Sequence, residues 1–395
     1  MKKIIAYLTA LAIIFDLFTP LRLYFEGGKA LMLLIPTLLI LVYDSLYSRK
    51  TFWPMALYVG ACLGLMAMGS SFFTIPFLLQ IVYAYACFEH FMVTRDMFFA
   101  KTVTTALYAT LVVMVATSLP LFITIPNLSR LMNKAEENGV TSSLFYWTLS
   151  YPSIHSLPIY SIPVFYMFRN SKKKLLRLAA LLFFAAIFVL MLFADSTGAL
   201  LVNIAIFGIL LLYNQKKSLK SNIMRLGVLG LGMILFLNKT VLAGLLTVVQ
   251  PVFEGSSTYK KIDVMVYMLQ GGEAEGDIEG REEKFDLSWE TFLENPLLPT
   301  IESESYQKIG GHNFLFDQIV ALGLFLGVFF IIFLVERIKR PLKYLTFTTK
   351  SYYIVGVLAL LIMGFMKYFF LLFPTCCVLP MILIAAESNN FMHNK

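Results

Sequence analysis

Along most of this chain, apolar runs about as long as a bilayer is thick alternate with short loops, and every second loop carries lysine or arginine. That alternation is the strongest constraint on the fold. A helix needs about 20 residues to cross a hydrocarbon core. Lipid offers no partner for a bare N–H or C=O, so a spanning run must pair its own backbone groups as a helix. A membrane β-barrel would instead show short strands of alternating polarity, and no such pattern is present. The mean hydropathy is +0.76 and only 14% of residues are charged, against roughly 25% in soluble chains. We therefore expect an all-α, polytopic integral membrane bundle with about twelve helices. They should run roughly over 4–19, 29–43, 53–68, 72–89, 102–125, 153–168, 175–193, 197–213, 226–250, 314–335, 351–370 and 371–386.

The net charge of +8 raises the question of nucleic acid, and its distribution answers it. Basic residues cluster at Lys2–Lys3, Arg49–Lys50, Arg95 and Lys101, Arg169 through Arg177, Lys216 through Arg225, and Arg337 through Lys350. These loops alternate with less basic ones, the positive-inside pattern of cytoplasmic loops. A nucleic-acid surface would be one continuous basic face. Residues 251–313 hold 13 Asp and Glu against 5 Lys and Arg, so they belong outside. Both termini are then cytoplasmic. The first run follows Lys2 and Lys3 like a signal peptide, but Pro20 and Arg22 follow where a small-residue cleavage site would be, so we expect a retained span. The layout divides into 1–250, with nine spans and a medium outer loop at 126–152; 251–313, a large extracytoplasmic loop with two short helices; and 314–395, with the last three spans.

Cys62, Cys87, Cys376 and Cys377 all fall inside expected spans, where cysteine packs as a small apolar residue. There is no spaced Cys/His set for a metal, no Walker loop and no HExxH. The glycines at 227, 230 and 232 have no strand before them and are not a dinucleotide fingerprint. We expect no cofactor. Gly60-x-x-x-Gly64 and Gly323-x-x-x-Gly327 read as close-packing positions between helices.

Both outer loops exceed the usual connection length, which points to function or disorder. In the first, Asn127 can cap and Gly139 can end a helix with Leu128, Leu131, Met132 and Ala135 on one face. Phe145, Tyr146, Trp147 and Tyr151 follow. This segment either lies on lipid or shapes a substrate site. In the second, Ser257 can cap a helix bearing Tyr259, Ile262, Val266 and Leu269, stopped by Gly271–Gly272. A second helix runs from about Arg281 to Glu294. Phe285, Trp289 and Phe292 form its apolar face, and Arg281 precedes Phe285 by one turn. Arg281 therefore either points with the aromatics toward the protein or snorkels at the edge of that face.

The loop closes on Gly310-Gly311-His312-Asn313, directly before the tenth span. Paired glycines allow close backbone approach, a helix N-terminus attracts anions, and histidine can act as acid or base near neutral pH. Asp16, Asp195, Lys239, Asp317 and Lys367 lie in or at the ends of apolar runs, all in the outer half by the charge pattern. Ionisable groups there are costly and mark either a site or structural ion pairs, such as Asp317 with Lys367. Asp317 shares a helical face with Asn313.

One stretch then resembles a family. From Arg281 it passes Trp289, Glu294-Asn295-Pro296-Leu297-Leu298 and His312-Asn313-Phe314-Leu315 to Ala321-Leu322-Gly323-Leu324-Phe325-Leu326-Gly327. It resembles the O-antigen polymerase and ligase superfamily (Wzy and WaaL), in which an Arg opens a loop helix, NPLLG ends it, and HN begins the next span. Two positions depart: Pro299 stands where the family has Gly, and Asp195-Ser196-Thr197-Gly198 puts Thr197 where many members have Arg. The resemblance implies a GT-C-like membrane glycosyltransferase of the bacterial plasma membrane. It would polymerise undecaprenyl-pyrophosphate-linked oligosaccharide repeat units of a capsule, O-antigen or exopolysaccharide on the outer face, alongside a flippase and a chain-length regulator. Under it, His312 is the candidate base and Arg281 the candidate pyrophosphate ligand. Asn313, Asp317, Lys239, Lys367 and Trp289 would contact substrate, with Lys239 or Lys367 replacing the missing arginine. The rivals are a ligase moving finished glycan to another acceptor, and a transporter or flippase of lipid-linked oligosaccharide. Transporters commonly show repeated halves, and none is seen here.

Overall fold

The computed structural model describes residues 1–17, 28–125, 128, 148–194, 196–212, 243–244, 246–248, 250–254, 259–260, 262–263, 266–267, 279–299, 301–310, 313–366 and 373–393. At 28–29, 197, 252–253, 279–282, 366 and 388–393 it describes the backbone alone. Regular structure among these residues is entirely helical. The first half contains α1 (Lys2–Leu17), α2 (Gly28–Tyr43), α3 (Phe52–Ala67), α4 (Ile75–Thr94), α5 (Met97–Thr124), α6 (Tyr151–Asn170), α7 (Lys174–Phe193) and α8 (Thr197–Leu212). The second half adds α9 (Glu279–Glu294), the short α10 (Glu304–Lys308), α11 (Phe314–Leu342), α12 (Phe347–Met366) and α13 (Leu379–His393), the last entered through a π turn at Pro374–Val378. Each expected span has a helix over it except the ninth, which falls almost wholly outside the described residues.

Five described helices are long and apolar enough to cross a membrane: α4, α5, α7, α11 and α12 as far as Phe365. Shorter apolar helices accompany them, including most of α2, α3 and α8. The outward face of α7 displays Leu175, Leu178, Leu181 and Leu182 to the surroundings. An apolar exterior of this kind would associate in water, and it suits lipid. This is the architecture of a multi-pass membrane protein.

Helix ends differ from expectation at the end of α11 (342 against 335), at the start of α12 (347 against 351) and at the α4–α5 junction, where the reason is clear. α4 was expected to stop at 89 and α5 to start at 102, but only two residues separate them. Arg95 closes α4 in a left-handed conformation at φ 49°. The Asp96 carboxylate then caps α5, accepting from the N–H groups of Phe98 (2.8 Å) and Phe99 (3.2 Å). Extending α4 to Thr94 buries Glu89 and His90 inside the bundle. Glu89 pairs with Arg337 and Arg340 of α11, and His90 Nδ1 lies 2.6 Å from Asp44. Breaking a buried pair of this kind costs about 3–5 kcal/mol. The Glu89 pairs fasten the C-terminal half of α11 to α4, and the His90 pair ties α4 to the end of α2.

α1 packs on α2 and α5, α6 on α7 and α8, and α11 on α3 and α12. Two glycine readings need correction. Among the described residues a Cβ at Gly60 or Gly64 would meet nothing within 4 Å, so no described helix is packed closely there. Gly323 does not sit in a smooth helix face either. It interrupts α11 with φ 66° and ψ 169°, dividing it into two helical halves.

Candidate functional site

The loop helix and the start of the tenth expected span come together as one unit. α9 lies along the first half of α11, and Ser288 Oγ donates to Asp317 Oδ1 at 2.9 Å in a fully buried contact. The other carboxylate oxygen of Asp317 accepts from the Asn313 N–H at 3.3 Å, while the Asp317 N–H donates to the Asn313 carbonyl at 2.7 Å. Asp317 therefore reaches back over its own N-cap residue and sideways to α9. A hydrogen bond to a charged group contributes roughly 1.5–3 kcal/mol, enough to fix the register of two helices that otherwise meet through rings.

Those rings meet at Phe316. Phe285 and Trp289 stack on it, with centroids at 5.6 Å and 5.8 Å, and Phe292 approaches at 6.1 Å. The sequence suggested that these aromatics form the packed face of the loop helix. The packed face is instead centred on Ser288 and Thr291, both buried, while Phe285 and Trp289 remain 44% and 45% exposed. The backbone of Arg281 lies in the first turn of α9, two turns before Ser288.

The break at Gly323 is filled by the segment that follows α9. The N–H groups of Leu324 and Phe325, which cannot reach their usual carbonyls across the break, donate to Pro296 O (2.8 Å) and Leu297 O (3.0 Å). This leaves the carbonyls of Val320 and Ala321 without their helical donors. The Tyr306 hydroxyl donates to Ala321 O at 3.1 Å and lies 2.8 Å from Ser70 Oγ. Burial holds that phenol above the ordinary range, so it stays protonated and able to donate. Nearly every buried backbone group in a protein finds a partner, and here Leu324 and Phe325 find theirs in the Asn295–Leu298 turn and Ala321 finds its own in α10.

The approach to α11 is tied to the α3–α4 connection. Ser71 Oγ donates to Gln307 Oε1 at 2.9 Å. Gly310, at φ 101°, sits so close to Phe72 that a Cβ would meet the ring at 3.1 Å. Gly364 of α12 packs against Leu315 so closely that a Cβ would come within 2.7 Å of its Cγ. The mouth of α11 is thus held from three directions.

Beside that mouth lies a cavity of about 310 Å³. Its lining comes from the C-terminal end of α1 (Asp16), the N-terminal halves of α4 (Gln80, Tyr83) and α6 (Ser153, Ser156, Tyr160), the first residue of α11 (Phe314), and Phe373 and Pro374 before α13. These contributions all sit at one end of the bundle, the end where α11 begins. A second buried polar contact stands on the neighbouring helices, where Ser196 Oγ approaches the His155 ring at 3.3 Å.

Models of known protein families and curated proteins were both compared with this chain, and no match was found.

Of the residues singled out from sequence, the structure joins Asn313, Asp317 and Trp289 in the α9–α11 unit and places Asp16 on the cavity wall. Arg281 is described by its backbone alone, and His312, Lys239, Lys367 and Asp195 lie outside the described residues. The proposed ion pair of Asp317 with Lys367 is outside them for the same reason; the partners seen for Asp317 are Ser288 and Asn313. Sequence reading missed Gln80, Tyr83, Ser156, Tyr160 and His155. Their signal was present: Ser153, Ser156 and Tyr160 recur at helical spacing along one side of an otherwise apolar run.

Proposed function

We propose that the protein polymerises oligosaccharide repeat units carried on undecaprenyl pyrophosphate, at the outer face of the bacterial plasma membrane, as a bundle of about twelve transmembrane helices. One observation carries this reading. Within the stretch that resembles the O-antigen polymerase and ligase superfamily, the loop helix, the turn after it and the following span interlock. The Pro296–Leu297 turn caps the helix break at Gly323, and Ser288 of the Arg281 helix holds Asp317 beside Asn313. In this reading the interlock sets the start of α11, which lines a cavity with both aromatic and polar groups, beside the helix that carries the backbone of Arg281. The donor already carries a leaving pyrophosphate, so the protein needs to supply cations and N–H donors for that charge and a base for the attacking hydroxyl.

Transfer to a different acceptor, as in a ligase, would use the same unit. A flippase is the second reading, and the break in α11 favours it, because transporters bind substrate at discontinuous helices. In those sites the half-helix N-terminus faces the substrate. Here the N–H groups of Leu324 and Phe325 are taken by carbonyls of the same chain, which supports a structural break.

Glycan ladders from cells lacking the gene separate the three. Loss of the polymer with single repeat units still exported and attached is the expected result. Polymer that is made but left unattached means ligase, and the absence of any repeat unit at the surface means flippase. The orientation has its own test. Gly276→Cys should react with a membrane-impermeant thiol reagent in intact cells, and Ser218→Cys only after lysis. The reverse labelling would put residues 251–313 in the cytoplasm and remove the site from the outer face.

A further inference from the structure

We propose that the cavity at the mouth of α11 is a carbohydrate subsite that seats one sugar residue, with Asp16 and Tyr160 as its principal hydrogen-bonding groups. The sugar class rests on the polymerase reading; the cavity and its chemistry do not. At about 310 Å³ the space is at the lower end of ligand cavities, which run from about 300 to 1,000 Å³. It suits a single pyranose ring with its substituents and excludes a whole repeat unit.

The walls are of two kinds. Tyr83, Phe314 and Phe373 contribute aromatic surface, with the Tyr83 and Phe373 rings stacked at 5.4 Å. Asp16, Gln80 and Tyr160 contribute a carboxylate, an amide and a phenol. A pyranose has the matching division, with C–H bonds on its faces and hydroxyls around its edge. An ionised carboxylate can accept from two neighbouring hydroxyls at once, and an amide or phenol can both donate and accept. Tyr160 is only 5% exposed, and no hydrogen bond to its hydroxyl or to the Gln80 amide is formed among the described residues. A polyol entering the cavity would pair them.

Other ligands fit these walls less well. An isoprenoid tail would bury the Asp16 carboxylate and the phenol against hydrocarbon. Among the described lining residues there is no lysine or arginine to hold a pyrophosphate. The lipid and phosphate parts of a lipid-linked glycan therefore belong elsewhere, and a sugar ring belongs here. Phe314 lines the cavity and directly follows His312–Asn313 in the chain. A sugar held there would present a hydroxyl next to the loop that carries the candidate base, which suits the acceptor sugar.

The test uses the purified full-length protein in lipid nanodiscs. Free glucose, galactose, N-acetylglucosamine and N-acetylgalactosamine serve as probes, with saturation-transfer NMR as the readout. At least one sugar should bind. Tyr160→Phe and Asp16→Asn should each weaken that sugar by roughly tenfold, as expected for one lost hydrogen bond in a closed site. Ser156→Leu should abolish binding by filling the space. Tyr160→Phe removes a single oxygen and keeps the ring, so it decides the matter if Ser156→Leu does not reach the membrane. Failure of all four sugars to bind, undiminished binding in Tyr160→Phe and Asp16→Asn, or competitive displacement by inorganic pyrophosphate would each overturn the assignment. The polymerase reading fails differently. If gene loss leaves the glycan ladder unchanged while sugar binding still depends on Asp16 and Tyr160, the subsite stands and the polymerase falls. If the ladder requires the protein but is unaltered by Ser156→Leu, the polymerase stands and the subsite falls.

Discussion

Gly323→Ala should destabilise the protein by about 3 kcal/mol or more and take the function with it. Two costs combine. At φ 66° and ψ 169° the residue occupies a backbone region used almost only by glycine, and holding another residue there costs about 1–3 kcal/mol. A Cβ would also come within 2.5 Å of Leu297 O and 2.9 Å of Leu298 Cα. Both are backbone atoms, so no rotamer change relieves the overlap, and overpacking of this kind costs about 1–3 kcal/mol more. The turn would have to retreat, and the carbonyls that satisfy Leu324 and Phe325 would leave with it. Gly327→Ala is the control, because its nearest new contact would be at 3.8 Å. Thermal unfolding followed by fluorescence size-exclusion chromatography should separate the two variants clearly. Equal midpoints for wild type, Gly323→Ala and Gly327→Ala would mean that the break is not a fixed part of the fold.

The break shows where sequence reading reaches its end. The run from Phe314 to Leu342 keeps a helical apolar character on both sides of Gly323, so periodicity alone reads one continuous span. The compensating groups are the carbonyls of Pro296 and Leu297 and the Tyr306 hydroxyl. Backbone carbonyls carry no residue signature, and α10, which positions Tyr306, is only five residues long. The α9 helix was legible from its apolar spacing and its Asn295–Pro296 stop. Its rotation was not. Sequence reading buries rings before hydroxyls, yet Ser288 is buried because an acceptor, Asp317, stands opposite. Phe285 and Trp289 could then remain half exposed, which is common for aromatics at a membrane interface.

The charged positions divide in the same way. Asp16 was legible as a costly charge in an apolar run, and it lines the cavity. Glu89 and His90 were not, because the expected helix ended at 89 and placed them at a loop edge. Only the two-residue junction capped by Asp96 draws them into the bundle, where Arg337, Arg340 and Asp44 meet them. The cavity gathers residues from several helices. Its composition follows from packing, and no local pattern in one segment could have shown more than its α6 edge.

His312→Ala should cut turnover by roughly a hundredfold or more, the usual range for loss of a general base. Binding of a lipid-linked repeat unit should change much less, because the proton moves only in the transition state. The nearest described residues on either side of this position are fixed. Gly310 is pressed onto Phe72, and Asn313 is pinned through its N–H to Asp317. His312→Gln separates the two roles the side chain can play. Glutamine can donate a hydrogen bond to a phosphate oxygen but cannot take up a proton at neutral pH. If it restores turnover, His312 is an anion-binding donor, and the hydroxyl loses its proton to another group. Asp317 would be the next carboxylate in line, but both of its oxygens are already engaged by Ser288 and Asn313. Using it as a base would loosen α9 from α11, so Asp317→Asn should then lower protein stability together with turnover. If glutamine is as inactive as alanine while the lipid-linked substrate still binds, the base assignment stands. The measurement requires purified protein, a defined lipid-linked repeat unit and polymer growth followed over time.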